Sequence, residues 1–103
     1  MSQVGELTFG YFLIPNAVDP LLETAREVER LGLDLVAIQD HPYQRRFLDT
    51  FALMSAILAT TSSLRVFPDV ANLPLRQPAV LAKTAASLDV LSGGRFELGL
   101  GAG

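Results

Sequence analysis

Four apolar runs with strand character begin near Leu7, Leu33, Leu64 and Arg95, and a helical pattern fills each interval between them. Successive starts lie about 30 residues apart, the length of one βα unit with its crossover helix. Strands spaced this way cannot be joined by tight turns, so the chain is confined to a parallel sheet covered by helices, an α/β fold. In such folds ligands bind beyond the carboxyl ends of the strands, which directs attention to the residues after each run. After the fourth run only Gly101, Ala102 and Gly103 remain, so the repetition is expected to be cut off at its fourth strand.

The elements can be placed from local chemistry. Leu7 to Leu13 is aromatic and apolar and ends at the breaker Ile14-Pro15-Asn16. Asp19 is expected to cap a helix with Pro20 in its first position, Leu21, Leu22, Ala25, Val28 and Leu31 on one face, and Gly32 beyond its end. On the other face, Glu23 with Arg26 and Glu27 with Arg30 have i,i+3 spacing. The second strand, Leu33 to Gln39, is continuously apolar from Leu35 to Ile38, as a strand buried on both faces must be. Asp49 is positioned to cap a helix running through Ala59. Leu64 to Val70 reads as the third strand, but Pro68 cannot donate to a ladder and predicts a bulge. A third helix starts with Pro78, carries Val80, Leu81, Ala85, Leu88 and Leu91, and stops at Ser92-Gly93-Gly94; Arg95 to Leu100 is the fourth strand.

Composition excludes several classes. Half the residues are hydrophobic and 18% charged, which rules out a disordered chain and implies surface that something else covers. With 8 Lys and Arg against 11 Asp and Glu and no basic run, no nucleic-acid partner is expected. The absence of cysteine and the single histidine leave no support for a disulfide framework or a metal site. No apolar run is long enough for a membrane span and no basic leader opens the chain, so a cytoplasmic protein without membrane contact is expected.

Asp40 and His41 directly follow the second strand, at the ligand end of the sheet. Histidine titrates nearest neutrality and suits acid–base work, and a carboxylate beside it could orient it; a solvated loop histidine beside a turn is the competing reading. Pro68-Asp69-Val70-Ala71-Asn72 occupies the same place on the third strand, where a bulge re-aims backbone groups and Asn72 brings an amide that can donate and accept; packing irregularity is the alternative. Gly99, Gly101 and Gly103 lack the spacing of a dinucleotide fingerprint, yet residues without side chains permit a flat ligand to approach the backbone. Glu97 reads as structural, needing an inward arginine if it faces a barrel.

Four stretches carry a family resemblance: GYFLIP, GLDLVAIQDHPY, DTFALMSAILATTSSLRV and ANLPLRQPAVLAKTAASLDVLSGGRFELGLGAG. The chain resembles the N-terminal part of the luciferase-like monooxygenase superfamily, (β/α)8 barrels that use FMN or the deazaflavin coenzyme F420. That resemblance implies that residues 1–103 are the N-terminal half of one TIM-barrel domain, about four strands and three helices. It places an Asp-His pair beside the deazaflavin, here Asp40 and His41, with His41 the catalytic candidate near the reacting carbon. It implies a non-prolyl cis peptide between Asp69 and Val70 behind the ring, although Pro68 and Asp69 depart from the usual small residues. It also implies cofactor contact at Asn72 and along Ala102-Gly103. The Asp-His pair favours F420 over FMN, hence hydride transfer between F420 and a small organic substrate, with an FMN-dependent monooxygenase as the alternative.

Two further readings compete. Two four-stranded pieces could complete one barrel as an inert homo-oligomer, and a flavodoxin-like nucleotide module is a third, disfavoured because no glycine-rich phosphate loop follows the first strand.

Overall fold

The computed structural model describes residues 7–103. Strands β1 (Gly10–Leu13), β2 (Leu35–Ile38) and β3 (Arg65–Pro68) form a parallel sheet in the order β1-β2-β3. Registers Tyr11↔Val36↔Val66 and Leu13↔Ile38↔Pro68 define one face. Val36, Ile38 and Val66 on that face are wholly buried under helices α1 (Leu21–Arg30), α2 (Thr50–Thr60) and α3 (Pro78–Ser92). The opposite face carries Phe12, Ala37 and Phe67 in register, and Phe12 is 49% exposed there. This is a βαβαβ wall covered by helices on one side.

The third and fourth strands are irregular, as Pro68 predicts. Two residues beyond β3 the chain resumes pairing as β4 (Ala71–Asn72), parallel to β5 (Leu100–Gly101). An isolated parallel bridge, Val66↔Phe96, precedes that pair, with Val66 N–H donating to Arg95 O at 2.9 Å and Glu97 N–H to Val66 O at 3.0 Å. From Val66 to Ala71 one strand takes five steps while its neighbour takes four from Phe96 to Leu100. The extra residue is a β-bulge, and the predicted strands Leu64–Val70 and Arg95–Leu100 are each divided by it. The first strand also starts later than expected, at Gly10, with Phe9 held by Asp34 through its own N–H and carbonyl at 2.8 Å each.

Helix ends show which signals act. Asp49 Oδ2 accepts from Ala52 N–H at 2.9 Å and starts α2, and Gln77 Oε1 does the same for Val80 N–H at 2.9 Å, with Pro78 in the first turn of α3. Gly32 and Gly93 take φ of +86° and +68° just past α1 and α3, conformations that residues with a Cβ resist. Asp19 does not cap α1. The helix begins one residue later, Pro20 occupies the capping position, and only the Asp19 carbonyl is used, accepting from Leu21 N–H at 2.9 Å. Of the two predicted surface pairs, Glu27–Arg30 forms, with Arg30 Nε donating to Glu27 Oε1 at 3.0 Å.

Leu21, Ala25, Val28, Phe51, Leu53, Met54, Ile57, Leu58, Leu81 and Leu88 build the helical side of the core. Leu31, Val80 and Leu91 were expected to join them and are instead 62%, 63% and 82% exposed. Leu31 lies at the C-cap of α1, and the buried apolar residues of α3 are Leu81 and Leu88. Among the described residues no helix is long and apolar enough to cross a membrane.

Candidate functional site

Asp40 leaves β2 and turns inward. Its side chain is fully enclosed and accepts three hydrogen bonds: Asn72 N–H to Oδ2 at 2.8 Å, Arg76 Nε to Oδ2 at 2.8 Å and Arg76 Nη2 to Oδ1 at 2.5 Å. Asp40, expected beside the ligand, is held here by protein groups alone. Both carboxylate oxygens are committed to protein groups, because an ionised carboxylate taken out of water requires such partners. Burial pushes the Asp40 carboxyl up, but the Arg76 and Asn72 hydrogen bonds and the guanidinium charge outweigh it and hold the group below the usual aspartate range.

Arg76 was not singled out by the sequence reading. It sits half-buried just after the 3-10 turn Leu73–Leu75, its guanidinium 4.5 Å above the Phe51 ring, and its Nη2 also reaches Asp49 Oδ1 at 3.1 Å. The hydrogen bonds it donates to Asp40 lead the influences that keep it protonated. The only signal available was a lone arginine within the otherwise uncharged stretch Ala71 to Val80.

At the bulge the peptide bond between Asp69 and Val70 is cis, at the position the resemblance implied. Asn72 follows, buried, and pairs with Gly101. Its Oδ1 is, among the described residues, the one buried side-chain oxygen or nitrogen without a hydrogen-bond partner. Gly103 lies beside it: a Cβ at Gly103 would be 3.5 Å from Asn72 Oδ1 and 2.9 Å from Pro74 Cγ. The glycines before it also serve packing within the protein. A Cβ on Gly99 would meet the Pro68 carbonyl oxygen at 2.7 Å, and one on Gly101 would meet Val70 Cγ2 at 2.2 Å, so both make room for the bulge.

His41 is joined to this end of the sheet by its peptide link to Asp40. Its Nδ1 lies 2.8 Å from the Tyr43 hydroxyl, and its ring stands 5.5 Å from Tyr43 and 6.5 Å from Phe47 between centroids. The contact admits two tautomers: with Nδ1–H donating to the Tyr43 hydroxyl oxygen the neutral ring has a bare Nε2, and with the Tyr43 O–H donating to Nδ1 the ring proton sits on Nε2. Asp40, Asp69, Val70, Asn72 and the Gly101–Gly103 segment thus meet at the carboxyl ends of the strands, Asp40 through its bond to Asn72 and His41 as its neighbour in the chain. Glu97 does find an arginine: Arg65 Nε donates to its Oε2 at 2.5 Å, an exposed pair away from this cluster.

A parallel βα wall with its polar residues gathered beyond the strand ends is the arrangement of α/β proteins that bind ligands at that end of the sheet. The profile of the family described as luciferase-like monooxygenase matches residues 4–103, and the chain belongs to that family. It is 36% identical over 100 residues to 5,10-methylenetetrahydromethanopterin reductase of Methanolobus tindarius, covering 94% of this chain and 29% of that protein. Among solved structures it resembles the coenzyme F420-dependent tetrahydromethanopterin reductase of Methanopyrus kandleri, with a TM-score of 0.81, 29% identity, and 95% of this chain against 28% of that one. An F420-dependent secondary alcohol dehydrogenase, solved with an F420-acetone adduct, superposes with a TM-score of 0.81 and 29% identity, over 94% of this chain and 32% of that one. The chain thus matches part of a TIM-barrel fold and spans less than a third of these relatives.

Proposed function

We propose that this chain supplies part of the cofactor wall of an F420-dependent oxidoreductase that transfers a hydride between the deazaflavin and a small organic substrate. The observation that carries this reading is the unpartnered Asn72 Oδ1 at the rim, an acceptor in need of a donor, beside a backbone segment free of bulky side chains. A flat heterocycle with an N–H on its edge fits that acceptor. Asn72 would hold the edge, the Asp69–Val70 bulge would back the ring, and Ala102-Gly103 would border it. Bound there, F420 supplies a two-electron hydride acceptor or donor.

The remaining work falls to His41. When a substrate C–H leaves as hydride, the substrate's O–H or N–H proton must also depart, and an imidazole nitrogen takes it; in the reverse direction His41 returns it. In the tautomer whose Nδ1–H donates to the Tyr43 hydroxyl, Nε2 is bare and is the nitrogen that takes the substrate proton; in the reverse direction the protonated ring returns it from Nε2. Relatives whose names specify F420 support the deazaflavin over FMN.

The test is a fluorescence titration of the full-length protein with F420 and, in parallel, with FMN, followed by turnover of His41→Ala. F420 binding retained with turnover reduced by roughly 10²- to 10⁴-fold, the usual share of general acid–base catalysis, is expected. Tight FMN binding without F420 binding would move the assignment to an FMN-dependent monooxygenase, and unchanged turnover would remove His41 from the chemistry.

A second reading, an inert homo-oligomer of paired four-stranded walls, is favoured by one observation. Phe12 on the uncovered face, Leu98 just before β5 and Leu100 in β5 are 49%, 39% and 53% exposed. Sedimentation of the 103-residue chain as a discrete dimer would support it, and a monomer would exclude it.

A further inference from the structure

We infer that Arg76 is a positioning residue of the site: by gripping Asp40 it fixes the backbone of Asn72, and through that backbone the place of the Asn72 amide at the rim. The inference rests on the cofactor reading above for its consequence, though not for its geometry. Asp40 has no exposed side-chain surface, so its charge depends on partners inside the protein. Arg76 provides two of the three hydrogen bonds it accepts, in the bidentate form that a lysine cannot reproduce. The third comes from Asn72 N–H, to the same oxygen that Arg76 Nε contacts.

Arg76 is itself held from two other directions. Its Nη2 reaches Asp49 Oδ1, while Asp49 Oδ2 caps α2, and its guanidinium lies on Phe51. The end of β2, the start of α2 and the end of β4 are therefore tied at one guanidinium. Of the groups so tied, Asn72 is the one that carries an unpartnered buried oxygen, so a shift of its backbone moves the polar feature most suited to a ligand.

Replacing Arg76 by Gln, with Arg76→Lys and the double variant Asp40→Asn/Arg76→Gln alongside, tests this in the full-length protein. Amide hydrogen exchange is the first readout and needs no cofactor. In Arg76→Gln the Asn72 amide should exchange roughly ten- to a hundredfold faster, the cost of a weakened buried hydrogen bond, while Val36 and Ile57 keep their protection. Arg76→Lys should fall between, since it keeps the charge and loses the fork.

The second readout is the pH profile of F420 affinity. Without its guanidinium the enclosed Asp40 takes up a proton more readily, so affinity in Arg76→Gln should weaken as the solution is acidified through the range where wild type is flat; the double variant, which has no carboxylate there, should be flat again. Equal loss of protection at Asn72, Val36 and Ile57, or a pH profile identical to wild type, would overturn the inference and leave Arg76 a general stabiliser. Should Arg76→Gln not fold, the Arg76→Lys comparison decides by the same criteria. Failure of wild type to bind F420 would refute the cofactor reading and leave the exchange result standing by itself.

Discussion

Arg95 offers the sharpest test of how the wall is held together. Its half-buried guanidinium donates from Nε to Ser92 O at 2.9 Å, from Nη1 to Leu64 O at 3.0 Å and Thr61 Oγ1 at 3.1 Å, and from Nη2 to Leu58 O at 2.9 Å. One side chain thus satisfies carbonyls from the last turn of α2, the entry to β3 and the end of α3, groups that helix termini leave without partners. Arg95→Met keeps the aliphatic stem and removes all four bonds. A charged hydrogen bond contributes about 1.5–3 kcal/mol, but these four share one desolvation and water reaches part of the site, so a loss of about 3 kcal/mol is expected rather than the sum. At about 4–8 °C per kcal/mol for a domain near this size, Tm falls by roughly 12–24 °C. Urea unfolding followed by circular dichroism measures the loss directly. Arg95→Lys should recover only a minority of it, since one ammonium cannot span three directions. A loss under about 1 kcal/mol, or a lysine variant equal to wild type, would show that water replaces the guanidinium and that the clamp is incidental.

Other outcomes follow from the same contacts. Gly99→Ala should destabilise by roughly 1–3 kcal/mol, because the Pro68 carbonyl that its Cβ would strike is backbone and has nowhere to move. In Gly101→Ala the obstacle is the Val70 side chain, so Val70→Ala should relieve that variant and leave Gly99→Ala unrelieved; relief of both in unfolding experiments would contradict the geometry. Asp40 and Glu29 both have carboxyls held below their ordinary range. In Glu29 the upward push of desolvation is outweighed by N–H groups of Ser63, Ser62 and Leu64 converging on Oε2. A depressed folded pKa means stabilisation that is complete above the unfolded value, about 4 for a carboxyl, and lost as pH falls through the folded one. Urea midpoints should therefore drop between about pH 5 and pH 2, and the drop should be shallower in Asp40→Asn. A midpoint constant across that range would mean neither carboxylate contributes.

Much of the wall was legible because its signals are local. The unbroken apolar run Leu35 to Ile38 announced the central strand of a parallel sheet, Asp49 and Pro78 announced two helix starts, and Pro68 announced an irregular third strand. Asp19 misled because Pro20 follows it and the helical turn begins only at Leu21, leaving the carboxylate nothing to cap. The exposed Val80 and Leu91 misled for a different reason: periodicity reports that a helix has apolar positions and not which of them the described residues cover. At the site, Asp40 was visible from its place after a strand, yet its partner lies 36 residues on, and no local pattern links a carboxylate to an arginine at that distance. The same limit hid the contest for space at Gly99 and Gly101, where the neighbour is another strand's bulge.

The unequal step count between the third and fourth strands acts as a change of phase. Val66 and Ala71 both point under the helices although one has an even and the other an odd position, so side chains beyond the bulge alternate out of step with those before it. Asn72 is thereby turned away from the helices without any polar residue having to interrupt the apolar side of the strand. Deleting a single residue between Pro68 and Val70 would restore uniform alternation, send the amide beneath the helices and turn the methyl of Ala71 toward the strand-end rim. The wall would keep its sequence of neighbours and lose the one buried, unclaimed side-chain oxygen found among the described residues.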